Sequence, residues 1–323
     1  MRSSVILSLA LCATPALTWA EVPKVVTNMP VVQSLAAQVM GTLGRPDVLL
    51  DRGADPHSYQ MKPSQARALQ NADLLLWVGP EMTPWLQRAI EAAGNVHQIA
   101  LLHSQGTHQQ NFIDDDDDDA HDHDHDHGAE THDEDHEPAH EHDADGHSHE
   151  GLDPHAWLDP HNAENWVDII AGALSKADPA NAATYAANAK AAQARIETLD
   201  QDLQILLAPV QDHPFIVYHA AYGYFAQHYG LADQGSVAFG DATDPGAAHL
   251  SELRTDLNQK NVICAFPESG HDPRPMERLI DGTQVRLGKA LDPEGLALAS
   301  GPDLYDTLMR DIGGNLADCL NGQ

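Results

Sequence analysis

The sequence has few basic residues, few aromatic residues and almost no cysteine. Only 17 of its 323 residues are Lys or Arg, against 49 Asp or Glu, so the formal net charge is -32. A nucleic-acid-binding protein needs a basic surface to neutralise phosphates, and this charge balance excludes that class. Although aromatic residues make up 5% of the chain, 42% of it is hydrophobic, which is enough to bury real cores. The length indicates about two domains.

The acidic charge is concentrated in one segment. Residues 114–150 hold 18 acidic residues, no Lys or Arg, and 10 of the 21 histidines. Without apolar periodicity the segment cannot offset the entropy of ordering, so we predict a disordered loop inserted in the first domain. Its alternating imidazoles and carboxylates are expected to bind Zn²⁺, Cu²⁺ or Ni²⁺ weakly. We name four auxiliary ligands: His121, His123, His125 and His127. A flexible site selects poorly among metals, so tight binding is expected in a preformed pocket elsewhere.

The N-terminus has the pattern of a secretory signal peptide over residues 1–20. One Arg precedes an apolar run that is too short to span a membrane, and small residues follow before a cleavage position. Cys12 lies inside that run after the bulky Leu11, so no lipid anchor is predicted. Removal of the peptide leaves Cys264 and Cys319 in an oxidising compartment, where we expect them to form a disulfide. Two buried free thiols are the alternative.

Short runs rich in Val, Ile and Leu alternate with helical patterns, which is typical of parallel strands joined by crossover helices. The runs fall into two sets and predict two α/β lobes: 25–29, 48–51, 74–79 and 99–102, then 215–219, 236–240, 262–267 and 285–288. We predict a first lobe over 21–175, a linking helix over 176–209 and a second lobe over 210–323.

The linking helix is predicted from its end signals and its apolar stripe. Asp178 is a candidate N-cap, Pro179 fits the first turn, and Pro209 is a stop signal. Steps of three and four place one apolar face along it: Tyr185, Ala189, Ala192, Ile196, Leu199, Leu203 and Leu206. A helix of this length is a stiff strut, so the lobes are expected to move little.

Three histidines outside the acidic segment stand where α/β lobes place ligand-binding groups, near the ends of strands. His57 lies in the turn DPHSY, His155 in DPHAWLDP, and His219 ends the apolar run FIVYH. Each alone is read more simply as a capping or core histidine, but their joint occurrence favours one metal pocket. His161 is expected at a helix start, and His249 and His271 on the surface. A minor site at His271 is the alternative, because His271 follows Glu268 closely.

The motifs GADPHSYQMKPSQ, DPHAWLDPHNA, VYHAAYGYFAQHYGL and ALDPEG, with the acidic His-rich segment in between, resemble the ZnuA-type periplasmic zinc-binding proteins of ABC importers. The resemblance covers essentially the whole mature chain. It implies two Rossmann-like α/β lobes joined by one long rigid helix, with the metal in the cleft between them. It also implies a periplasmic, non-enzymatic solute-binding protein that delivers zinc to an ABC permease.

The resemblance assigns metal binding to His57, His155 and His219. Some members have Glu before the first ligand where this chain has Pro56, so the fourth ligand is open: Asp292 or a water. Three imidazoles with a carboxylate or water suit tetrahedral Zn²⁺, whereas Mn²⁺ prefers more oxygen ligands. Glu268 is a candidate acceptor for a ligand imidazole, because metal-bound histidines usually donate their second N–H. Trp157, Tyr222 and Tyr224 are expected to pack along the cleft wall.

Three alternatives to zinc import remain at this point. A secreted zinc hydrolase would also use three histidines, but the sequence has no HExxH motif, nucleophile elbow or paired general base. A metal buffer or chaperone would bind through the acidic segment alone. A manganese-binding homologue would share the fold. We expect a monomer whose partners are zinc, the permease and other periplasmic zinc chaperones.

Overall fold

A computed structural model of the protein describes residues 22–94, 96–112, 151–238 and 246–322. The predicted signal peptide and the acidic segment, with His121, His123, His125 and His127, lie outside the described residues. In the part of the chain that is described, no helix is long and apolar enough to cross a membrane.

The first half of the chain contains a four-stranded parallel sheet of strand order β2-β1-β3-β4. Its strands are β1 (Val25–Thr27), β2 (Asp47–Val48), β3 (Leu74–Trp77) and β4 (His97–Ala100). The helices between them are α1 (Pro30–Met40), α2 (Pro63–Gln70) and α3 (Pro84–Ala93). Each helix begins with proline, whose missing N–H has no partner in a first turn anyway. The central strands β1 and β3 are buried throughout, as apolar strands covered on both faces should be.

Two helices then lead toward the second half: α4 (Pro160–Ala177) and α5 (Ala182–Leu207), which pack along each other. The regular helix α5 has 26 residues, about 39 Å at 1.5 Å per residue. Asp178 is the N-cap of the 3-10 turn that leads into α5, and Pro179 stands in its first turn, as predicted. Asp178 ends α4 and precedes a 3-10 turn at 179–181, and its carboxylate accepts hydrogen bonds from Asn181 Nδ2 at 2.7 Å and the Tyr185 hydroxyl at 2.9 Å.

The apolar stripe of α5 is buried as predicted from Tyr185 to Leu203, but not at its last position. Leu206 is 41% exposed, and Leu207 is buried in its place. At 3.6 residues per turn, a step of four from Leu203 keeps Leu207 on the packed face and turns Leu206 away from it.

The second half contains another parallel sheet, of order β6-β5-β7-β8. Its strands are β5 (Phe215–His219), β6 (Asp233–Ala238), β7 (Cys264–Phe266) and β8 (Arg286–Leu287). Its helices are α6 (Gly223–Tyr229), α7 (Ala247–Gln259), α8 (Arg274–Ile280) and α9 (Leu304–Leu320). Taken in chain order, the two sheets have the same strand order, 2-1-3-4. The predicted fold class, two parallel α/β sheets with a long joining helix, is confirmed.

One hydrophobic core runs through both halves. It includes Leu35 of α1, Trp166 of α4, Ile196 of α5, Phe215 of β5 and Met309 of α9. Helix α9 contacts both α5 and α1, so the chain returns from the second half to the first. Smaller clusters cover the outer face of each sheet. Because interiors are close-packed, a shared core resists relative movement of the halves. The domain boundaries proposed above stay a prediction.

The predicted disulfide is confirmed. Cys264 of β7 and Cys319 of α9 are bonded, with their Cα atoms 6.3 Å apart. The bond joins the end of the last helix to the second sheet.

Candidate metal centre

Three of the four predicted ligand residues lie together, and a different carboxylate completes the group. His57, His155, His219 and Glu294 place one ligand atom each within 4.8 Å of one another. His57 follows β2, His155 stands just before the turn into α4, His219 ends β5, and Glu294 follows β8. Parallel strands bring such segments together beyond their carboxyl ends, where ligands of α/β proteins bind.

The two buried imidazoles, of His155 and His219, point their Nε2 atoms toward each other. His155 Nε2 and His219 Nε2 are 3.4 Å apart, and each lies 3.9 Å from Glu294 Oε1. The ring centroids are 5.2 Å apart. Donor atoms around a tetrahedral zinc ion with bonds of about 2.0–2.1 Å are about 3.3 Å apart. Small side-chain movements would therefore bring these three atoms to bonding distance of one ion.

The other ring nitrogen of each buried histidine meets a buried carboxylate. His155 Nδ1 lies 2.8 Å from Asp153 Oδ1, and His219 Nδ1 lies 2.5 Å from Glu268 Oε2. A hydrogen bond to the carboxylate holds the proton on Nδ1 and directs the Nε2 lone pair toward the other ligands. Glu268 is thus the acceptor that the sequence suggested, while Asp153 was not anticipated.

His57 is half-buried and is held by its own turn. Asp55 Oδ1 accepts the His57 backbone N–H at 2.8 Å, and Asp55 Oδ2 accepts the Ser58 hydroxyl at 2.6 Å. Trp85 Nε1 donates to the Pro56 carbonyl at 2.6 Å and ties the turn to α3. An Asx-type turn of this kind positions the ring without a regular element.

Asp292, the predicted fourth ligand, is not part of this group. Its two carboxylate oxygens accept the backbone N–H groups of Leu296 and Ala297, each at 2.9 Å. Asp292 therefore stabilises the turn that presents Glu294. The sequence contains both acids in ALDPEG, and spacing alone does not show which one faces the pocket.

The Glu294 segment is anchored to the first half. Trp157 Nε1 donates to the Pro293 carbonyl at 2.9 Å. Gly295 has φ +73°, and a Cβ there would meet Leu304 and Leu308, so glycine is required. Trp157 is thus more than cleft-wall packing. Tyr224 also contacts the site indirectly, since its hydroxyl donates to the Asp153 carbonyl at 3.2 Å.

Ionising the buried Glu294 carboxyl in this pocket without a bound cation costs free energy. Burial and then the nearby Glu268 charge raise the pKa of Glu294 to about 8, against the opposing influence of His219 and His155. Burial also raises the pKa of Tyr222 well above its usual value, so its phenol stays neutral. A cation bound among these groups would remove the cost that Glu294 carries.

A second group, at the start of α4, was not anticipated. Asp159, His161 and His228 place ligand atoms within 4.8 Å of one another. His161 was read as a helix-start residue, and its backbone N–H does bond the Asp159 N-cap at 2.9 Å. His228, in VYHAAYGYFAQHYGL, gave no sign of a partner because Asp159 is 69 residues earlier.

The two other histidines considered in the sequence lie outside both groups. His271 lies 3.4 Å from Glu268, and His249 bonds the Ser236 carbonyl at 2.8 Å.

The chain matches the ZnuA family description, "zinc-uptake complex component A periplasmic", over residues 25–319. It is similar to the high-affinity zinc uptake system protein ZnuA of Paracoccus denitrificans, with 51% identity over 319 residues and 98% of each chain covered. The same-named protein of Brucella suis is 34% identical over 306 residues, which cover 92% of this chain and 91% of that one.

Solved structures share the fold. One described as the crystal structure of ZnuA has a TM-score of 0.72 and 24% identity, covering 92% of this chain and 98% of that chain. A manganese-bound periplasmic metal-binding protein from Candidatus Liberibacter asiaticus has a TM-score of 0.72 and 19% identity, covering 92% and 99%. At these identities the likeness concerns the fold alone.

Proposed function

The chain belongs to the ZnuA family of periplasmic zinc-uptake components, and we propose that it binds Zn²⁺ through His57, His155, His219 and Glu294 for delivery to an ABC permease. Zinc is the transported cargo in this proposal, and the protein carries out no chemical reaction on it. The signal-peptide pattern of residues 1–20 supports a periplasmic location.

The observation that carries the proposal is the ligand set. Three imidazoles and one carboxylate match the four ligands and the borderline character that Zn²⁺ favours. Mn²⁺ favours more oxygen ligands and a higher coordination number, so this set disfavours it. Manganese in a distant structural relative therefore does not extend to this chain.

The charges around the group also support zinc binding. Three buried carboxylates surround the histidines: Asp153, Glu268 and Glu294. With Glu294 ionised, a divalent cation would bring the net charge of the three carboxylates from -3 to about -1. Burying charge is tolerable only when it is paired and hydrogen-bonded, which the cation and the two Nδ1–H donors would provide.

We propose that the ion enters and leaves past His57. His155, His219 and Glu294 are almost fully buried, whereas His57 is half-buried and stands on an irregular loop. Since a common core joins the two halves, a local movement of this loop costs less than a separation of the halves. The acidic segment would raise the zinc concentration nearby, and the permease would receive the ion.

The test is a calorimetric titration of Zn²⁺ and Mn²⁺ into the metal-free mature protein and two matched variants, Glu294→Gln and Asp292→Asn. One tight zinc event and little manganese binding are expected in the wild type. Glu294→Gln should weaken the tight event by about 100-fold or more, because one of four ligands is lost. Asp292→Asn should weaken it much less.

Two results would contradict the proposal. Equal or tighter manganese binding would favour the manganese-binding alternative. Tight zinc binding that persists when His57, His155 and His219 are all replaced by Ala would move the function to the acidic segment and favour a metal buffer.

A further inference from the structure

The group at the start of α4 has the composition and spacing of a metal site of its own. Asp159 Oδ1 lies 3.5 Å from His161 Nδ1 and 3.4 Å from His228 Nδ1. The rings of His161 and His228 are 4.9 Å apart between centroids. Donor atoms of a tetrahedral zinc site are about 3.3 Å apart, so these separations need little adjustment around an ion.

Two of the three residues are already held in place. The Asp159 side chain is almost fully buried because it caps α4. His228 Nε2 lies 2.7 Å from Asp200 Oδ1 on α5, and its side chain is 10% exposed. A histidine whose Nε2–H is donated to a carboxylate turns its Nδ1 lone pair toward the other donors, as metal-binding histidines commonly do.

The surroundings are acidic. Asp200 and Asp159 stand beside His228, and Glu164 lies one helical turn beyond His161. Burial raises the pKa of Glu164; His161 opposes this, and the charges of Glu197, Asp200 and Asp159 add to it. A bound cation would relieve the repulsion among these carboxylates.

We infer that Asp159, His161 and His228 form a second divalent-cation site, suited to zinc and completed by solvent. This site is distinct from the proposed transport site and does not depend on it. The two are separated by the 3-10 turn Ala156–Leu158, with His155 at one end and Asp159 at the other.

The second site joins different parts of the chain. Asp159 and His161 begin α4, whereas His228 belongs to α6. His108 Nδ1 also approaches Asp159 Oδ2, at 3.2 Å, from the segment that precedes residue 113. An ion there would link α4 to α6 outside the shared core and should add stability to the folded chain.

His161 is the residue to change, since its side chain is 69% exposed and its loss should not disturb folding. His97 is a matched control, because it is also exposed and lies on β4. Crystals of the full mature chain and of the variants His161→Ala and His97→Ala are equilibrated with free Zn²⁺ buffered at about 10 μM. Anomalous diffraction at the zinc edge then locates every bound ion.

We expect an anomalous peak among Asp159, His161 and His228 in the wild type and in His97→Ala, and its loss in His161→Ala. Peaks at the His155–His219 site should persist in all three proteins. The inference is overturned if the second peak is absent, or is present only near 1 mM free zinc, because the group is then a hydrogen-bonded His–Asp network or an adventitious site.

A solution measurement checks the same point. After one equivalent of zinc, further buffered zinc should raise the melting temperature of the wild type and of His97→Ala but not of His161→Ala. An equal rise in all three proteins would contradict the second site. If the transport site did not bind zinc, the first equivalent of zinc would not raise the melting temperature, so the two failures can be told apart.

Discussion

The two histidine clusters use the same kinds of ligand but differ in burial. In the first, His155, His219 and Glu294 are almost fully buried. In the second, Asp159 is buried and His228 nearly so, but His161 is 69% exposed. The buried side chains of the first cluster exclude water from most ligand positions. The exposed His161 side chain of the second cluster must instead be ordered when an ion binds.

The difference predicts that the two clusters bind zinc with different affinities. Both buried imidazoles of the first cluster are fixed by carboxylates, Asp153 and Glu268. In the second, His228 is fixed by Asp200, while the exposed His161 ring must lose rotational freedom on binding. We therefore expect the first cluster to bind zinc far more tightly, and the following predictions test that ranking.

The largest expected effect is at His219. Structural zinc sites are worth about 10–16 kcal/mol, so loss of one of four ligands in His219→Ala should cost about 100- to 1000-fold in zinc affinity. His161→Ala should change the tight site less than about threefold. Competition with a chromophoric zinc chelator measures both. Similar losses in the two variants would remove the distinction between the clusters.

Next is Glu268, which bonds the His219 ring. Glu268→Gln should lower zinc affinity by about 10- to 100-fold, because the imidazole loses the acceptor that orients it and makes it more basic. Glu277→Gln on the exposed side of α8 is the control. Unchanged affinity in Glu268→Gln, measured by the same competition, would mean that burial alone orients His219.

Glu294 should have opposite effects on metal binding and on metal-free stability. Its folded pKa of about 8 lies above the ordinary 4.5, so ionisation penalises the folded state increasingly from about pH 4.5 to pH 8. The penalty is absent below that window and complete above it. In the metal-free protein, Glu294→Gln should therefore raise the free energy of unfolding by up to about 4 kcal/mol at pH 8 and leave it nearly unchanged at pH 4.5.

Denaturant unfolding at both pH values checks this, with Glu277→Gln as the control. With zinc bound the order should reverse, and the wild type should be the more stable protein. A variant that is no more stable at pH 8 without zinc would show that His155 and His219 already compensate the Glu294 charge.

The smallest effect concerns the contact that positions Glu294. Trp157→Phe removes the donor to the Pro293 carbonyl and should lower zinc affinity by about fivefold, the equivalent of one hydrogen bond. Trp166→Phe is a matched control, because that buried indole donates to Thr107 Oγ1 at 3.1 Å away from the site. Equal effects of the two variants on zinc affinity would show that the Pro293 contact does not position Glu294.

Much of the fold was predictable because its signals are local. Apolar runs predicted the eight strands found in the described part of the chain, with bounds that differ by up to three residues, and a three- and four-residue stripe predicted the buried face of α5. Its one error, Leu206, is at the end of α5, where a 3-10 turn at 208–210 follows the regular helix. The disulfide followed from the count of cysteines left after the signal peptide.

The site was predictable only in part. His57, His155 and His219 stand in motifs that mark them, and resemblance to a family joined the three. Glu294 was missed because Asp292 is two residues away and equally acidic, and only the backbone N–H groups of Leu296 and Ala297 decide that Asp292 turns inward to its own loop. His228 and Asp153 were also missed, because their roles depend on contacts that form only in the folded chain.

The sequence by itself determined the type of chemistry: imidazoles, carboxylates and an acidic charge that suit a divalent cation, on two α/β sheets joined by a helix. The tertiary structure alone decided which carboxylate faces which imidazole. That choice depends on contacts between residues far apart in the chain, such as His219 with Glu268 and His228 with Asp200. Neither periodicity nor spacing encodes such contacts, because the packing of separate elements sets those distances.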